Sequence, residues 1–83
     1  MRYLLIYQQP LIHAYCASTV RLLTTQEEFD AAGVEEAIKF TWGFCAGGIL
    51  TFKGAMYTRT FLELREEGRT VKHRYLESLR PQR

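Results

Sequence analysis

The chain has 83 residues, a formal net charge of +2, 47% hydrophobic residues and 24% charged residues. This length leaves room for one small domain, and the composition excludes an intrinsically disordered chain. No apolar run reaches the roughly 18 residues that cross a membrane as a helix, and the apolar stretch 3–7 is too short for a secretion signal. We therefore expect a small soluble protein of the cytoplasm.

The two cysteines, Cys16 and Cys45, are too few for a disulfide framework and are typical of buried thiols in a reducing compartment. With His13 and His73 they supply four possible zinc ligands, but strong zinc motifs contain two close pairs, and only His13 and Cys16 are close in sequence. Neither thiol is predicted beside fixed positive charge or at a helix N-terminus, as a nucleophilic thiolate requires. We expect no metal, no cofactor and no enzymatic activity.

The first predicted strands lie in the apolar and aromatic N-terminal part of the chain. Residues 3–7 are apolar on both faces, which predicts a central strand near 3–8, and Pro10 is predicted to lie in a turn. Residues 12–22 alternate with period 2, which favours a half-buried strand. A helix over 11–23, with Pro10 at its first position, is the alternative interpretation.

One long helix is predicted over residues 26–45. Thr25 and Glu28 have the spacing of a capping box, and the helix dipole favours the acidic residues that follow Thr25. Gly47 and Gly48 are predicted to end the helix, and Gly33 is the point at which it would divide into two. The predicted buried face repeats at steps of three or four residues and consists of Phe29, Ala32, Gly33, Ala37, Phe40 and Phe44.

Three further strands are predicted over residues 49–53, 56–65 and 70–76. Glu67 and Gly68 have the pattern of a two-residue hairpin loop, so Glu66 is expected opposite Arg69. The same register sets residues of matching polarity or opposite charge across from each other, and it also fixes one aromatic–basic pair. These pairs are Leu64 with Val71, Glu63 with Lys72, and Phe61 with Arg74.

The predicted fold class is α+β: a single small domain with an antiparallel sheet of four to five strands and one main helix packed on one face. The turn near residues 53–55 is two or three residues long, and its length decides which face Leu50 and Phe52 occupy. Residues 76–83 are predicted to form a loosely ordered basic tail.

The candidate binding residues lie on the sheet face that a single helix cannot cover. Tyr57, Arg59 and Phe61 alternate on one predicted strand, and Lys72 and Arg74 are expected beside them. An uncovered aromatic patch on a small protein is typical of an interaction site. Trp42, the only tryptophan, cannot share a helix face with both of its aromatic neighbours. It is expected either to pack under a strand or to be partly exposed, and in the second case it is a further candidate contact.

These features favour a non-catalytic protein-binding module, such as a small inhibitor, adaptor or assembly subunit, whose partner is another protein or a second copy in a homodimer. The alternative is a domain that binds single-stranded RNA or DNA through the same face, because aromatic rings stack on bases and basic side chains meet phosphates. A net charge of only +2 and the glutamates near the face favour the first hypothesis.

Overall fold

A computed structural model describes residues 1–12, 20–52 and 55–80. The order of elements is β1 (Arg2–Ile12), β2 (Val20–Asp30), α1 (Val34–Cys45), β3 (Leu50–Phe52), β4 (Ala55–Tyr57), β5 (Thr60–Glu66), β6 (Arg69–Thr70) and α2 (Arg74–Glu77). Four strands form an antiparallel sheet in the order β2-β1-β5-β6, and β3 and β4 form a separate hairpin. With α1 packed against the sheet, the predicted α+β class is confirmed.

Strand β1 is the centre of the sheet, as its apolar sequence predicts. It pairs along its whole length with β2 and from Tyr3 to Gln8 with β5. Tyr3, Leu5 and Tyr7 alternate on the face that α1 covers, and each is buried. The remaining core comes from α1, β5 and α2, and it consists of Ala37, Ile38, Cys45, Phe61, Leu64 and Leu76.

Phe61 is buried because β5 contains a bulge. Leu5 pairs with Leu64 and Tyr7 pairs with Phe61, so the register shifts by one residue between them and leaves Leu62 without a partner in β1. The extra residue changes the alternation of side chains along the strand. Phe61 and Leu64 therefore both face the core, whereas strict period 2 would set them on opposite faces.

The predicted start of the helix at residue 26 is wrong, because β2 continues to Asp30 and α1 begins at Val34. Phe29 is a strand residue whose ring stacks between those of Tyr3 (centroids 5.7 Å apart) and Phe40 (4.1 Å). A helix cap contributes about 1 kcal/mol, whereas strand pairing satisfies the backbone groups of β1 along its full length. This long-range pairing outweighs the local signal at residues 25–28.

The side of α1 that meets the sheet differs in part from the predicted one. Ala37 is buried as expected, but Ala32 precedes the helix and Phe40 is 39% exposed. The buried hydroxyl of Thr41 donates to the Ala37 carbonyl oxygen over 2.8 Å, so its polarity is satisfied inside the helix. The helix ends at Cys45, just before the two glycines, as predicted.

The N-terminal hairpin corrects two predictions. Pro10 does not lie in a turn, because β1 runs through it and pairs it with Leu22. Residues 11–12 and 20–23 are strand and not helix. They belong to two antiparallel strands in which Ile12 pairs with Val20, so the prediction of a single strand over 12–22 is wrong. Residues 13–19, which include His13 and Cys16, lie outside the described part of the chain.

The C-terminal hairpin has the predicted turn. Glu66 pairs with Arg69, and the positive φ of Glu67 (49°) and Gly68 (83°) is typical of a type I′ turn. The hydroxyl of Thr70 and the guanidinium of Arg65 both donate to Glu63, and together they lower the pKa of its carboxyl.

Beyond this turn, the predicted strand over 70–76 is wrong. Strand β6 ends at Thr70, and residues 74–77 form the helical turn α2, which buries Leu76 in the core. The pairs predicted beyond residue 71, including those of Lys72 and Arg74, are consequently not formed in this described segment. The burial of Leu76 also corrects the expectation of a loose tail from residue 76, while 81–83 lie outside the described residues.

The predicted strand over 56–65 is divided into β4 and β5 by residues 58–59. In the separate hairpin, Phe52 pairs with Ala55, which fixes a connection of two residues. The side chains of Leu50 and Phe52 lie outside the described part of the structure, so the face that each occupies stays a prediction. Neither helix in the described ranges has the length and apolarity of a membrane span.

Replacing Phe61 by alanine is expected to destabilise the domain by about 3–5 kcal/mol, because the substitution leaves a cavity in the middle of the core. Ile49→Ala is the control, since Ile49 is 56% exposed and its loss should change the free energy of unfolding by less than about 0.5 kcal/mol. Urea unfolding followed by circular dichroism measures both. Equal stability of Phe61→Ala and wild type would contradict the placement of Phe61.

Candidate functional site

The five residues of the predicted sheet face do not form one surface. Phe61 is 1% exposed and belongs to the core, so its prediction as an exposed contact is wrong. Tyr57 is half-buried in β4, outside the main sheet, and Arg59 lies in the connection before β5. Lys72 and Arg74 are exposed, but they lie beyond the paired part of the C-terminal hairpin.

Arg59 connects three parts of the fold. Its Nε donates to Gln9 Oε1 over 3.0 Å, and its Nη1 donates to the Phe44 carbonyl oxygen over 3.1 Å. The guanidinium also lies 4.2 Å from the centre of the Phe44 ring. Arg59 thus satisfies a carbonyl in the last turn of α1 and ties that turn to β1, which gives it a structural role.

Gly48 makes room for this arrangement. A Cβ atom at position 48 would lie 2.5 Å from the Phe44 carbonyl oxygen and closer still to Nη1 of Arg59. Real Cβ atoms do not approach backbone oxygens so closely, so a larger residue would displace either the helix end or the guanidinium.

Gly48→Ala is expected to destabilise the domain by about 1–3 kcal/mol, as overpacking in a tight site does. Gly43→Ala is the matched control, because a Cβ at that exposed helical position meets nothing within 4 Å. In a helix alanine is favoured over glycine by roughly 1 kcal/mol, so this control should stabilise the protein. Urea unfolding of both variants gives the two signs, and a stable Gly48→Ala protein would refute the close packing.

The sheet face opposite α1 is neither aromatic nor predominantly basic. Leu4 and Ile6 lie half-buried along its centre on β1. Ion pairs surround them: Arg2 contacts Glu28 at 3.1 Å and Asp30 at 3.3 Å, and Arg65 contacts Glu63 at 3.2 Å. Pairs as exposed as those of Arg2 contribute little to stability, and they leave this face with mixed charge.

A different aromatic surface is formed where α1 meets the segment around α2. Trp42 and Tyr75 are 36% and 51% exposed, and the indole Nε1 of Trp42 donates to the Tyr75 carbonyl oxygen over 3.1 Å. The residues of this Trp42–Tyr75 surface are Trp42 and Tyr75 together with Glu35, Ile38, Lys39 and His73.

A hollow of about 210 Å³ lies in this surface. Ile38 is 6% exposed and contributes an apolar contact to its lining, and Glu35 and Lys39 lie at its rim one helical turn apart. The rings of His73 and Tyr75 stack with centroids 5.1 Å apart and line the other side. The hollow thus combines an apolar lining with both signs of charge.

The structure brings two of the predicted contact residues to this place. Trp42 lies in the surface, and the Arg74 guanidinium is 5.0 Å from the Tyr75 ring centre. Lys72 precedes His73 and is exposed nearby in sequence. The missed residues, His73 and Tyr75, fall in the segment predicted as a strand. Leu76 and Leu79, three apart and followed by Pro81, are the signal that indicates a helical turn there.

The thiol of Cys45 is not suited to nucleophilic chemistry. Cys45 is 1% exposed, and burial raises the pKa of its thiol to about 11, although the nearby charge of Arg59 lowers it in part. The thiol is therefore neutral near pH 7. Cys16 lies outside the described residues, and in the described ranges no three His, Cys, Asp or Glu side chains are grouped to hold a metal ion.

Comparisons with protein-family models, with curated proteins and with solved structures found no match for this chain. Its function is therefore inferred from the chemistry of the described surfaces alone.

In a Cys16→Ser variant, Cys45 should react with a thiol reagent at least about 100-fold more slowly in the native than in the unfolded protein, because it is buried and neutral. The raised pKa also predicts the pH dependence of stability. The unfolded thiol ionises near 9.0 and the folded one near 11, so stability is fully present below pH 9 and falls as the pH rises to about 11. For the pH dependence, Cys45→Ala is the control and should show a smaller fall in stability. For the labelling, rapid reaction of the native protein would contradict the burial of Cys45.

Proposed function

We propose that this chain is a non-catalytic protein-binding module that binds its partner through the Trp42–Tyr75 surface. The observation that supports this proposal is the exposure of a tryptophan that is hydrogen-bonded to an exposed tyrosine, and this tyrosine lines an apolar hollow. Tryptophan and tyrosine are enriched among the residues that dominate binding energy at protein interfaces. An inhibitor, an adaptor or an assembly subunit would act through such a surface.

The rings of this surface are held in place before any partner arrives. The indole of Trp42 is fixed by its hydrogen bond, and the ring of Tyr75 stacks on the His73 ring and lies 5.0 Å from the Arg74 guanidinium. His73 also accepts a hydrogen bond from the Tyr75 backbone N–H through Nδ1, over 3.3 Å. Side chains that are already ordered lose less conformational entropy on binding, which favours affinity.

The chemistry of the hollow indicates the partner segment that fits it. An apolar side chain of the partner would enter the hollow, contact Ile38 and pack against the Tyr75 ring. Acidic residues beside that side chain would meet Lys39, which lines the hollow, and the exposed Arg74, whose guanidinium is 5.0 Å from the Tyr75 ring centre. The partner is thus a protein segment with an apolar anchor and adjacent carboxylates.

The nucleic-acid hypothesis has less support, because it depended on an open sheet face. Phe61 is buried, and the Arg59 guanidinium is engaged with Gln9 and Phe44. Stacking of bases on Phe61 and phosphate contacts by Arg59 would both require the fold to rearrange.

Tyr75→Ala is expected to weaken partner binding about 30-fold, or ~2 kcal/mol, as loss of a central aromatic contact does. Lys39→Glu should mainly slow association with an acidic segment. Met56→Ala is the control: Met56 is the most exposed large apolar side chain in the described residues, at 73%, and lies outside the surface. The partner is obtained by affinity capture with tagged wild-type protein from native extract treated with nuclease, and its affinities are then measured with purified proteins.

Trp42 provides an independent readout because it is the only tryptophan. Binding at this surface should shift its fluorescence to shorter wavelength, since a partly exposed indole becomes buried. Partners that bind Tyr75→Ala as tightly as wild type would contradict the proposed surface. Partners that disappear after nuclease, together with RNA binding that weakens steeply between about 50 and 200 mM salt, would favour nucleic acid instead.

A further inference from the structure

The outer edge of β2 is open for pairing. This strand has 11 residues, and within the described ranges its only neighbour in the sheet is β1. Natural proteins protect such edges with proline, glycine bulges, short strands or charges. Residues 20–30 contain no proline or glycine, and the pairing with β1 runs from Arg2–Asp30 to Ile12–Val20 without a shift in register.

Charge protects only part of this edge. Glu27, Glu28 and Asp30 lie at its C-terminal end, whereas residues 22–26 are uncharged. Leu22 and Leu23 in that uncharged part are 57% and 55% exposed. Adjacent exposed leucines on an open edge favour pairing with another strand, because such pairing would bury both apolar surface and backbone polar groups.

The sequence of the edge is complementary to itself. Arg21 and Glu27 stand at equal distances on either side of Thr24. If two copies of β2 run antiparallel with Thr24 at the centre, Arg21 of each copy falls opposite Glu27 of the other. Residues directly opposite share a face of the sheet, and opposite charges there are favourable. A parallel arrangement in register would instead set Glu27 beside Glu27.

The acidic residues also divide in a way that fits this arrangement. Glu28 and Asp30 already form ion pairs with Arg2 of the same chain. Glu27 is exposed, and it takes part in none of the ion pairs formed among the described side chains. The charge pattern therefore favours a second copy of this chain as the occupant of the edge.

We propose that this protein forms a dimer in which β2 pairs antiparallel with β2 of a second copy, centred on Thr24. The two four-stranded sheets would join into one continuous sheet. The contact is symmetric and uses the same edge of both chains, so it closes at two copies and leaves no β2 edge for further growth. It uses none of the residues of the Trp42–Tyr75 surface and does not depend on the proposed function.

Sedimentation velocity from about 1 to 200 µM, the range in which small interfaces assemble, tests this proposal. Wild type should approach twice the mass of one chain as the concentration rises. Arg21→Glu alone and Glu27→Arg alone should each weaken the dimer at least about tenfold, because each sets like charges opposite each other. The double exchange, Arg21→Glu with Glu27→Arg, should restore dimer formation.

Thr24→Lys tests the centre of the register, since it brings two ammonium groups together on the symmetry axis. It should weaken the dimer at least about tenfold, whereas Thr58→Lys, at an exposed threonine away from β2, should not. Circular dichroism confirms that each variant is folded. A monomer at every concentration would overturn the dimer, and a dimer that the double exchange fails to restore would overturn the register. Both results would leave the proposed protein-binding surface intact.

Discussion

Pairing of β1 on both of its edges is the constraint on which the rest of the structure depends. Strand β1 supplies the three side chains Tyr3, Leu5 and Tyr7 on which α1 packs, and it lies between β2 and β5 in the sheet. A chain of this size hides roughly 60% of its unfolded surface, so it has little apolar area to spare. A central strand that buries every second side chain on one face makes efficient use of that area.

The packing of α1 against β1 determines which side of the helix faces solvent. Ala37, Ile38, Thr41 and Cys45 occupy the side of α1 that meets the sheet, and Arg59 holds its last turn. The remaining side of the helix is covered only in part by α2, through Leu76 and the contact of Trp42 with Tyr75. The aromatic hollow is therefore the place where one short helical turn incompletely covers a longer helix.

Local chemistry allowed part of the fold to be predicted from the sequence. Glu67–Gly68 specifies a type I′ turn, and Gly47–Gly48 specifies the end of a helix, because both depend on nearby backbone conformations. The helix start could not be predicted from the capping pattern at Thr25, because pairing with β1 outweighs it.

The bulge in β5 explains why the candidate site was predicted in the wrong place. Because Leu62 has no partner in β1, the side chain of Phe61 faces the core. No local sequence pattern marks the position of this bulge. Trp42 is 36% exposed, which agrees with its alternative placement as a partly exposed contact and not with packing under a strand. Its contact with Tyr75 depends on the fold of residues 71–77 and was not visible in the sequence.

The hydrogen bond between Trp42 and Tyr75 joins residues 33 positions apart, so the surface they form exists only in the folded chain. A partner that occupies it binds the native state and not the unfolded one. By mass action, such a partner at 100 times its dissociation constant adds about 2.7 kcal/mol to the stability of the domain. For a small domain this is a large share of the total, and it couples resistance to heat and proteolysis to the supply of the partner. The abundance of the protein in a cell would then follow the abundance of what it binds.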